Sequence, residues 1–147
     1  MRQVDAAVVR PLRQAVLRPH ERLEDQVYPG DAVPGAAHFA VFDGADLLGV
    51  ASIAPEPHPR TPGPGDWRVR GMATAPAARG RGAGALLLTA CLDHARAHGA
   101  HRVWCNARSP AVGFYAREGF ASEGDEFTLP AIGPHHLMSV LLKPKGV

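Results

Sequence analysis

The hydrophobic pattern in the first half of the chain predicts one helix and one hairpin. Apolar residues recur at helical spacing from Asp5, which can cap the helix, to about Leu17, although Pro11 must lie in its first turns or bend it. A strand before this helix is therefore short or missing. The apolar runs 38–43 and 47–54 flank an Asp-Gly-Ala turn and predict an antiparallel hairpin.

Strand and helix patterns alternate in the second half. They predict a strand over 67–74, a helix over 82–98 that Gly99 ends, a strand over 101–105, a short helix from Pro110 to near Gly119, and strands over 121–128 and 135–142. A helix that connects two strands at this spacing implies that those strands are parallel. The last two strands are expected to be antiparallel.

Two segments rich in proline and glycine separate these elements. Residues 18–37 predict a loop with a turn at 28–31. Residues 55–66, with five prolines and two glycines, predict an exposed connection that is disordered in part. No repeat or second domain is evident, so residues 1–147 are expected to form one domain, large enough to bury a core without a metal or a disulfide.

Composition and charge exclude several classes of protein. The hydrophobic share of 46% is ordinary for a globular protein, the apolar runs are too short to cross a bilayer, and charges interrupt the first 17 residues, unlike a signal peptide. We therefore expect a cytoplasmic protein without a membrane partner, in which Cys91 and Cys105 are buried thiols. A net charge of +2, with no block of like charges, argues against a nucleic-acid partner.

The candidate chemistry lies between the second predicted helix and the strand before it. Gly80, Gly82 and Gly84 leave backbone N–H groups unshielded at the positive end of a helix dipole. Arg79 and Arg81 add charge, and a guanidinium matches phosphate geometry. The segment therefore predicts a phosphate-binding loop.

This loop differs from two common phosphate-binding loops. A P-loop needs Lys and then Ser or Thr after its last glycine, whereas Ala85 and Leu86 follow Gly84. A dinucleotide-binding loop needs the spacing G-x-G-x-x-G and an acidic residue about 20 residues later, and this chain shows neither.

Two motifs resemble those of the GNAT superfamily of acyl-coenzyme A dependent N-acyltransferases. Arg79, Gly82 and Gly84 match the signature R/Q-x-x-G-x-G/A, and the segment 106–120, which ends in GFYAREGF, looks like the GNAT strand end and short helix with F-Y-x-x-x-G-F. The resemblance covers roughly residues 38–143. It implies an α/β (α+β) fold with a mixed, mostly antiparallel central sheet, a splayed pair of parallel strands and flanking helices.

The resemblance also implies that main-chain groups hold acetyl-CoA, with the pantetheine arm in the gap between the splayed strands. The implied cofactor contacts are Met72, Ala73, Thr74, Arg79, Gly80, Arg81, Gly82, Ala83, Gly84 and Asn106. Of the two arginines, Arg81 is expected to reach phosphate with its side chain. Two alternatives stay open: the glycines only begin a helix, and Asn106 caps the following turn.

Tyr115 is by resemblance the general acid of the reaction. A phenol within hydrogen-bond reach of the thioester sulfur can protonate the thiolate as it leaves. The alternative is that Tyr115 belongs to the core and packs against Phe114 and Phe120.

The base that takes the amine proton varies in position within the family. Candidates are Glu126 and Asp125 on the penultimate strand and His135 or His136 at the start of the last strand. The segment from Ile132 to His135 resembles an element of one subgroup of small bacterial members. His135 is therefore the favoured base, and Glu126 is also predicted to be catalytic.

The sequence therefore predicts an N-acetyltransferase that moves an acetyl group from acetyl-CoA to a primary amine of a small molecule or peptide. The transfer is expected to be direct, in a ternary complex, and not through a cysteine. No metal is expected, because the helix with His94 and His98 lacks the glutamate of a zinc-binding H-E-x-x-H motif. The alternative is a non-catalytic acyl-CoA sensor. The acceptor is not predicted, and homodimers are common among such small members.

Overall fold

Seven strands form one mixed sheet in the computed structural model, which describes residues 1–143. The strands are β1 Arg2–Val4, β2 Ala37–Asp43, β3 Asp46–Pro55, β4 Asp66–Thr74, β5 Arg102–Arg108, β6 Ala121–Leu129 and β7 Gly133–Leu141, and the helices are α1 Ala6–Leu12, α2 Ala83–Ala97 and α3 Val112–Arg117. The strand order is β1-β2-β3-β4-β5-β7-β6. The β4–β5 pair is parallel and the other five pairs are antiparallel.

The main core lies between the sheet and α2. Leu87, Cys91 and Ala95 recur at helical spacing on one face of α2 and are fully buried against β2–β5. On the opposite face of the sheet, Val9 of α1 packs in a second, smaller cluster with alternate residues of β2 and β3. The sheet is thus covered by helices on both faces.

The structure confirms the predicted mixed sheet and most of its elements. The hairpin, the long helix, the parallel pair and the antiparallel β6–β7 pair are present, and the leading strand is short, as expected. α2 ends before Gly99, which has a φ of 82°. The predicted last strand extends to residue 142, one residue beyond β7.

The predicted first helix reaches Leu17, but its second half is not α-helical. α1 ends at Leu12, and the following turn, Arg13–Leu17, is a π-helix. Pro11 lies inside α1 and has no N–H to donate to the carbonyl of Ala7, so the regular hydrogen-bond pattern is interrupted there and a wider turn follows. Asp5 precedes the helix but makes no side-chain capping bond.

Residues 55–66 form the predicted connection and half of them are exposed, but the expected partial disorder is not seen. The imidazole of His58 is buried: its Nδ1 accepts bonds from two backbone N–H groups at 3.1 Å, and its Nε2 donates to Glu123 at 3.0 Å. Asp66 is buried too and accepts two backbone N–H bonds at 3.0 and 2.8 Å and a bond from Arg102 at 3.0 Å. These partners order the segment.

Candidate active site

A gap opens between β4 and β5. The two strands pair over only three residues, Asp66–Arg68 against Arg102–Trp104. Beyond this point β4 continues beside β3 as far as Thr74, and β5 continues beside β7 as far as Arg108. The two strands therefore splay apart, and the main-chain groups on their facing edges have no partner strand.

A β-bulge lies in β4 at the start of this gap. Ser52 of β3 pairs with Arg70 and Val50 pairs with Ala73, so two residues of β4, Gly71 and Met72, face a single residue of β3. Gly71 has a φ of 62°, a conformation that favours glycine. The bulge changes the direction of β4 where the strand leaves β5.

A cleft of about 820 Å³ extends from the gap between β4 and β5 to the N-terminus of α2. Nine of the ten predicted cofactor residues line it: Met72, Ala73, Thr74, Arg79, Gly80, Gly82, Ala83, Gly84 and Asn106. The other walls are formed by residues of β5 and α3, by residues 16–18 and Tyr28, and by His135 at the start of β7. The structure thus brings two distant sequence motifs together in one cleft.

The N-terminus of α2 presents unpaired donors to this cleft. Gly80 and Gly82 both have a φ of 81°, and a Cβ at either position would meet no other atom within 4 Å. The N–H groups of Ala83, Gly84 and Ala85 make no hydrogen bond within residues 1–143. Three free donors at the positive end of a helix dipole fit a phosphate group.

The two arginines of the loop lie in different surroundings. Arg79 lines the cleft, whereas Arg81 is exposed and lies 3.6 Å from Asp43, outside the cleft lining. The side-chain contact predicted for Arg81 stays a prediction. Gly84 has a packing role in addition, because a Cβ there would lie 3.1 Å from the ring of Phe114.

Tyr115 of α3 packs in the core and also lines the cleft, so the structure leaves both roles considered from the sequence open. Its ring packs against Phe114 and Phe120, with centroids 5.1 and 5.4 Å apart, and the residue also lines the cleft. Burial raises the pKa of Tyr115 well above its ordinary value, and the nearby thiols of Cys105 and Cys91 add to this. The phenol therefore keeps its proton across the neutral range.

His135 of β7 lies in the cleft wall with one nitrogen free. Its Nδ1 is 2.8 Å from the carbonyl oxygen of Gly133, which can only accept, so in the neutral ring Nδ1 carries the hydrogen. Nε2 then has a lone pair, and it has no hydrogen-bond partner within residues 1–143. The ring stacks on Phe127 at 5.9 Å.

Glu126 does not line the cleft. It is exposed, accepts a bond from Ser109 Oγ at 2.8 Å and lies 3.5 Å from His136 Nε2. Because neighbouring residues of a strand face opposite sides of the sheet, Glu126 and His136 lie on the face opposite to Phe127 and His135. The structure thus places Tyr115 and His135 in the cleft, and Glu126 outside it.

The other nucleophiles and metal ligands considered from the sequence are engaged elsewhere. Burial raises the pKa of Cys105 to about 12 and raises that of Cys91 as well, so neither forms a thiolate readily. His94 Nε2 lies 2.8 Å from the carbonyl oxygen of Gly35, and His98 Nδ1 lies 2.8 Å from that of His94. Within the described part of the chain, no three potential ligands are grouped to hold a metal.

Sequence reasoning missed an arginine-rich wall at the other end of the cleft. Arg18, Tyr28, Arg68, Arg70 and Arg108 line this wall. One signal was available in the sequence. Arg68 and Arg70 lie two residues apart in a predicted strand, so their side chains are expected on the same face of the sheet.

A buried arginine supports the wall from behind. Arg13 donates to both oxygens of Asp31 at 2.7 and 2.9 Å, to the carbonyl oxygen of Gln26 at 3.0 Å and to Ser52 Oγ at 2.8 Å. Burial alone would raise the pKa of Asp31, but the bonds from Arg13 and from the N–H of Tyr28 outweigh it and hold the pKa below its ordinary value. Arg13 thus fixes the segment that carries Tyr28.

Comparison with known proteins agrees with this geometry. Residues 8–120 match the model of the acetyltransferase (GNAT) family. The chain is 35% identical over 132 residues to the uncharacterized N-acetyltransferase YitI of Bacillus subtilis (strain 168), covering 90% of this chain and 89% of YitI. No helix of the described residues is long and apolar enough to cross a membrane.

Solved structures share the fold. Escherichia coli ElaA superposes with a TM-score of 0.71 at 20% identity, and an acyl-CoA N-acyltransferase from Pseudomonas aeruginosa with 0.70 at 22%. Each comparison covers 89% of this chain and 86% of the other. The chain belongs to the GNAT acetyltransferase family and is an acyltransferase enzyme. The family implies an acyl-coenzyme A co-substrate and an amine acceptor.

Proposed function

We propose that this enzyme transfers an acetyl group from acetyl-CoA to a primary amine, directly and within a ternary complex. One observation carries the proposal: a single cleft joins the free N–H groups at the start of α2, the open edges of β4 and β5, Tyr115 and His135. In this proposal, the N–H groups hold phosphate, the gap takes the extended arm, and Tyr115 and His135 act as acid and base.

The residues present fit coenzyme A. The N–H groups of Ala83, Gly84 and Ala85, with Arg79, would hold the diphosphate. The main chain from Met72 to Thr74 would pair with the pantetheine amides, as a strand would. Asn106 lines the gap, and Arg108, not Asn106, occupies the N-cap position of the following turn, which supports a contact of Asn106 with pantetheine over the capping alternative.

The proposed reaction forms an amide bond and breaks a thioester. When bound, the thioester supplies the carbonyl carbon that the neutral amine nitrogen attacks, and coenzyme A leaves as the thiol. His135 Nε2 accepts the proton that the amine nitrogen loses, directly or through water. Tyr115 donates its hydroxyl proton to the departing sulfur. Tyr115 then regains a proton from solvent and His135 releases one to solvent, so both return to their starting forms. The products are the acetylated amine and free coenzyme A.

The competing function is an acyl-CoA sensor that binds without turnover, and one pair of measurements separates the two. Calorimetry measures coenzyme A binding, and free thiol is followed with acetyl-CoA and a panel of amines. Binding together with amine-dependent thiol release supports the transferase. Binding without release for every amine supports the sensor, and no binding at all contradicts both.

A further inference from the structure

The end of the cleft away from α2 is lined by arginines around one tyrosine. The guanidinium carbons of Arg13, Arg70 and Arg18 lie 4.0, 5.7 and 5.9 Å from the centre of the Tyr28 ring. Arg108 also lines this end, and its Nη2 donates to a backbone carbonyl at 2.6 Å. With Arg68, which also lines this end, five positive charges are concentrated here.

Nearby carboxylates do not balance this charge. Arg13 and Arg18 each have their own carboxylate, at 2.7 and 3.2 Å. Arg68 and Arg70 share Glu56, at 2.9 and 3.7 Å, and Arg108 has no ion pair within residues 1–143. Two positive charges of this group are therefore in excess.

Several donors at this end also have no acceptor. Arg70 makes no side-chain hydrogen bond within the described chain, since 3.7 Å to Glu56 is too long for one. The buried Nε atoms of Arg18 and Arg68 have no hydrogen-bond partner there either. Buried donors without acceptors cost free energy, and the half-buried Arg70 guanidinium, which lines the cleft, is the donor that an anionic ligand can reach.

We propose that the acceptor is an amine that also carries an anionic group, a carboxylate or a phosphate, and that Arg70 binds this group beside Tyr28. The inference rests on the proposed acetyl transfer to an amine. A planar guanidinium binds either group through two parallel hydrogen bonds. The diphosphate of coenzyme A has separate donors, because Arg79 and the start of α2 lie past the end of β4, whereas Arg70 lies before the bulge.

The same charges disfavour a polyamine acceptor. Excess guanidinium charge repels a second or third ammonium group that no anion accompanies. It also makes a bound ammonium lose its proton more readily, because a like charge nearby disfavours the charged form. An anionic group on the acceptor offsets this repulsion.

Matched pairs of acceptors test the proposal. Each amino acid is compared with its α-carboxamide, and glucosamine 6-phosphate with glucosamine, by thiol release with acetyl-CoA and by calorimetry on the coenzyme A complex. The anionic member of at least one series should have a kcat/KM and an affinity at least about tenfold higher. A preference in the amino-acid series identifies a carboxylate as the anionic group, and a preference in the sugar series identifies a phosphate.

Variants assign the preference to Arg70. Arg70→Gln should abolish the preference by raising the KM of the anionic member, with kcat changed less than KM, and Arg70→Lys should restore part of it. Arg2→Gln is the matched control, because Arg2 is exposed on β1 at the sheet edge and lies over the Phe42 ring at 4.4 Å. This control should keep the full preference.

The outcomes separate this inference from the proposed function. Tighter binding of the anionic members without thiol release would support the anion site at Arg70 and contradict the proposed acetyl transfer. Equal thiol release with both members of each pair, unaffected by Arg70→Gln, would contradict the anion site and support the proposed acetyl transfer. If neither member of any pair binds or reacts, both are wrong.

Discussion

In the proposed mechanism, Tyr115 holds a proton until the coenzyme A thiolate forms beside it. Its raised pKa keeps the phenol neutral, and the same buried surroundings raise the pKa of the Cys105 thiol to about 12. A higher pKa makes the phenol a weaker acid, so the proposed transfer requires that burial beside Tyr115 also makes the coenzyme A thiolate more basic than in water.

Removing the Tyr115 hydroxyl alone should separate catalysis from packing. Tyr115→Phe keeps the ring contacts with Phe114 and Phe120 and is expected to lower kcat by about 10²-fold. Coenzyme A affinity and the free energy of unfolding should change little. Steady-state thiol release, calorimetry and urea unfolding measure these three quantities. An unchanged kcat would leave Tyr115 with a packing role only.

The base is tested by a pair of conservative substitutions. His135→Gln removes the free Nε2 in the cleft wall and is expected to lower kcat/KM by about 10²-fold. Glu126→Gln alters a side chain outside the cleft and should change kcat/KM by less than about twofold. Both variants are measured with the same acceptor. A larger loss of kcat/KM for Glu126→Gln than for His135→Gln would instead indicate that Glu126 on β6 is the base.

At the scale of the element, the bulge of β4 depends on one glycine. A Cβ at Gly71 would lie 2.8 Å from Arg13 Nε, and the φ of 62° is itself costly for alanine, by about 1 to 2 kcal/mol. Gly71→Ala should therefore destabilise the protein by more than this amount and reduce turnover, because Arg13 and the edge of β4 must shift.

The hairpin turn between β2 and β3 provides the matched control. Gly44 has a φ of 60°, but a Cβ there would meet nothing within 4 Å. Gly44→Ala should show only the conformational cost and normal turnover. Urea unfolding of both variants gives the difference that belongs to the Arg13 contact. Equal destabilisation and equal activity would show that the bulge does not need Gly71.

Elements with a strong local period could be predicted from the sequence, and features made by distant contacts could not. The repeat of Leu87, Cys91 and Ala95 marks α2 because one face must be buried. The glycine loop and Tyr115 could be assigned because both lie within short motifs. The support of the arginine wall could not be predicted, because the Arg13–Asp31 ion pair joins residues 18 positions apart and begins in a π-helical turn.

At the scale of the whole molecule, residues 55–66 connect the middle of the sheet to its far edge. Asp66 at the start of β4 holds Arg102 of β5, and His58 reaches Glu123 of β6, 65 residues away. Burial would raise the pKa of Asp66, but the bonds from Arg102 and from two backbone N–H groups outweigh it and hold the pKa below its ordinary value of 3.8.

This connection should make stability sensitive to acid. Because the folded pKa of Asp66 is lowered, its contribution is fully present above pH 3.8 and is lost as the pH falls through the folded value. Asp66→Asn should therefore cost about 2 kcal/mol of unfolding free energy at pH 7, with a difference from the parent protein that shrinks below about pH 4. Urea unfolding from pH 3 to 7 measures it.

Asp46→Asn supplies the matched control, because Asp46 is exposed and makes no side-chain bond or ion pair within residues 1–143. Its curve of stability against pH should follow that of the parent protein. If the curve of Asp66→Asn also follows that of the parent protein, the Asp66 carboxylate contributes no stability beyond that of an amide at the same position. The order of residues 55–66 would then depend on His58 and Glu123, and acid would destabilise the protein through other carboxylates, Asp31 and Glu123 among them, whose pKa values are also lowered.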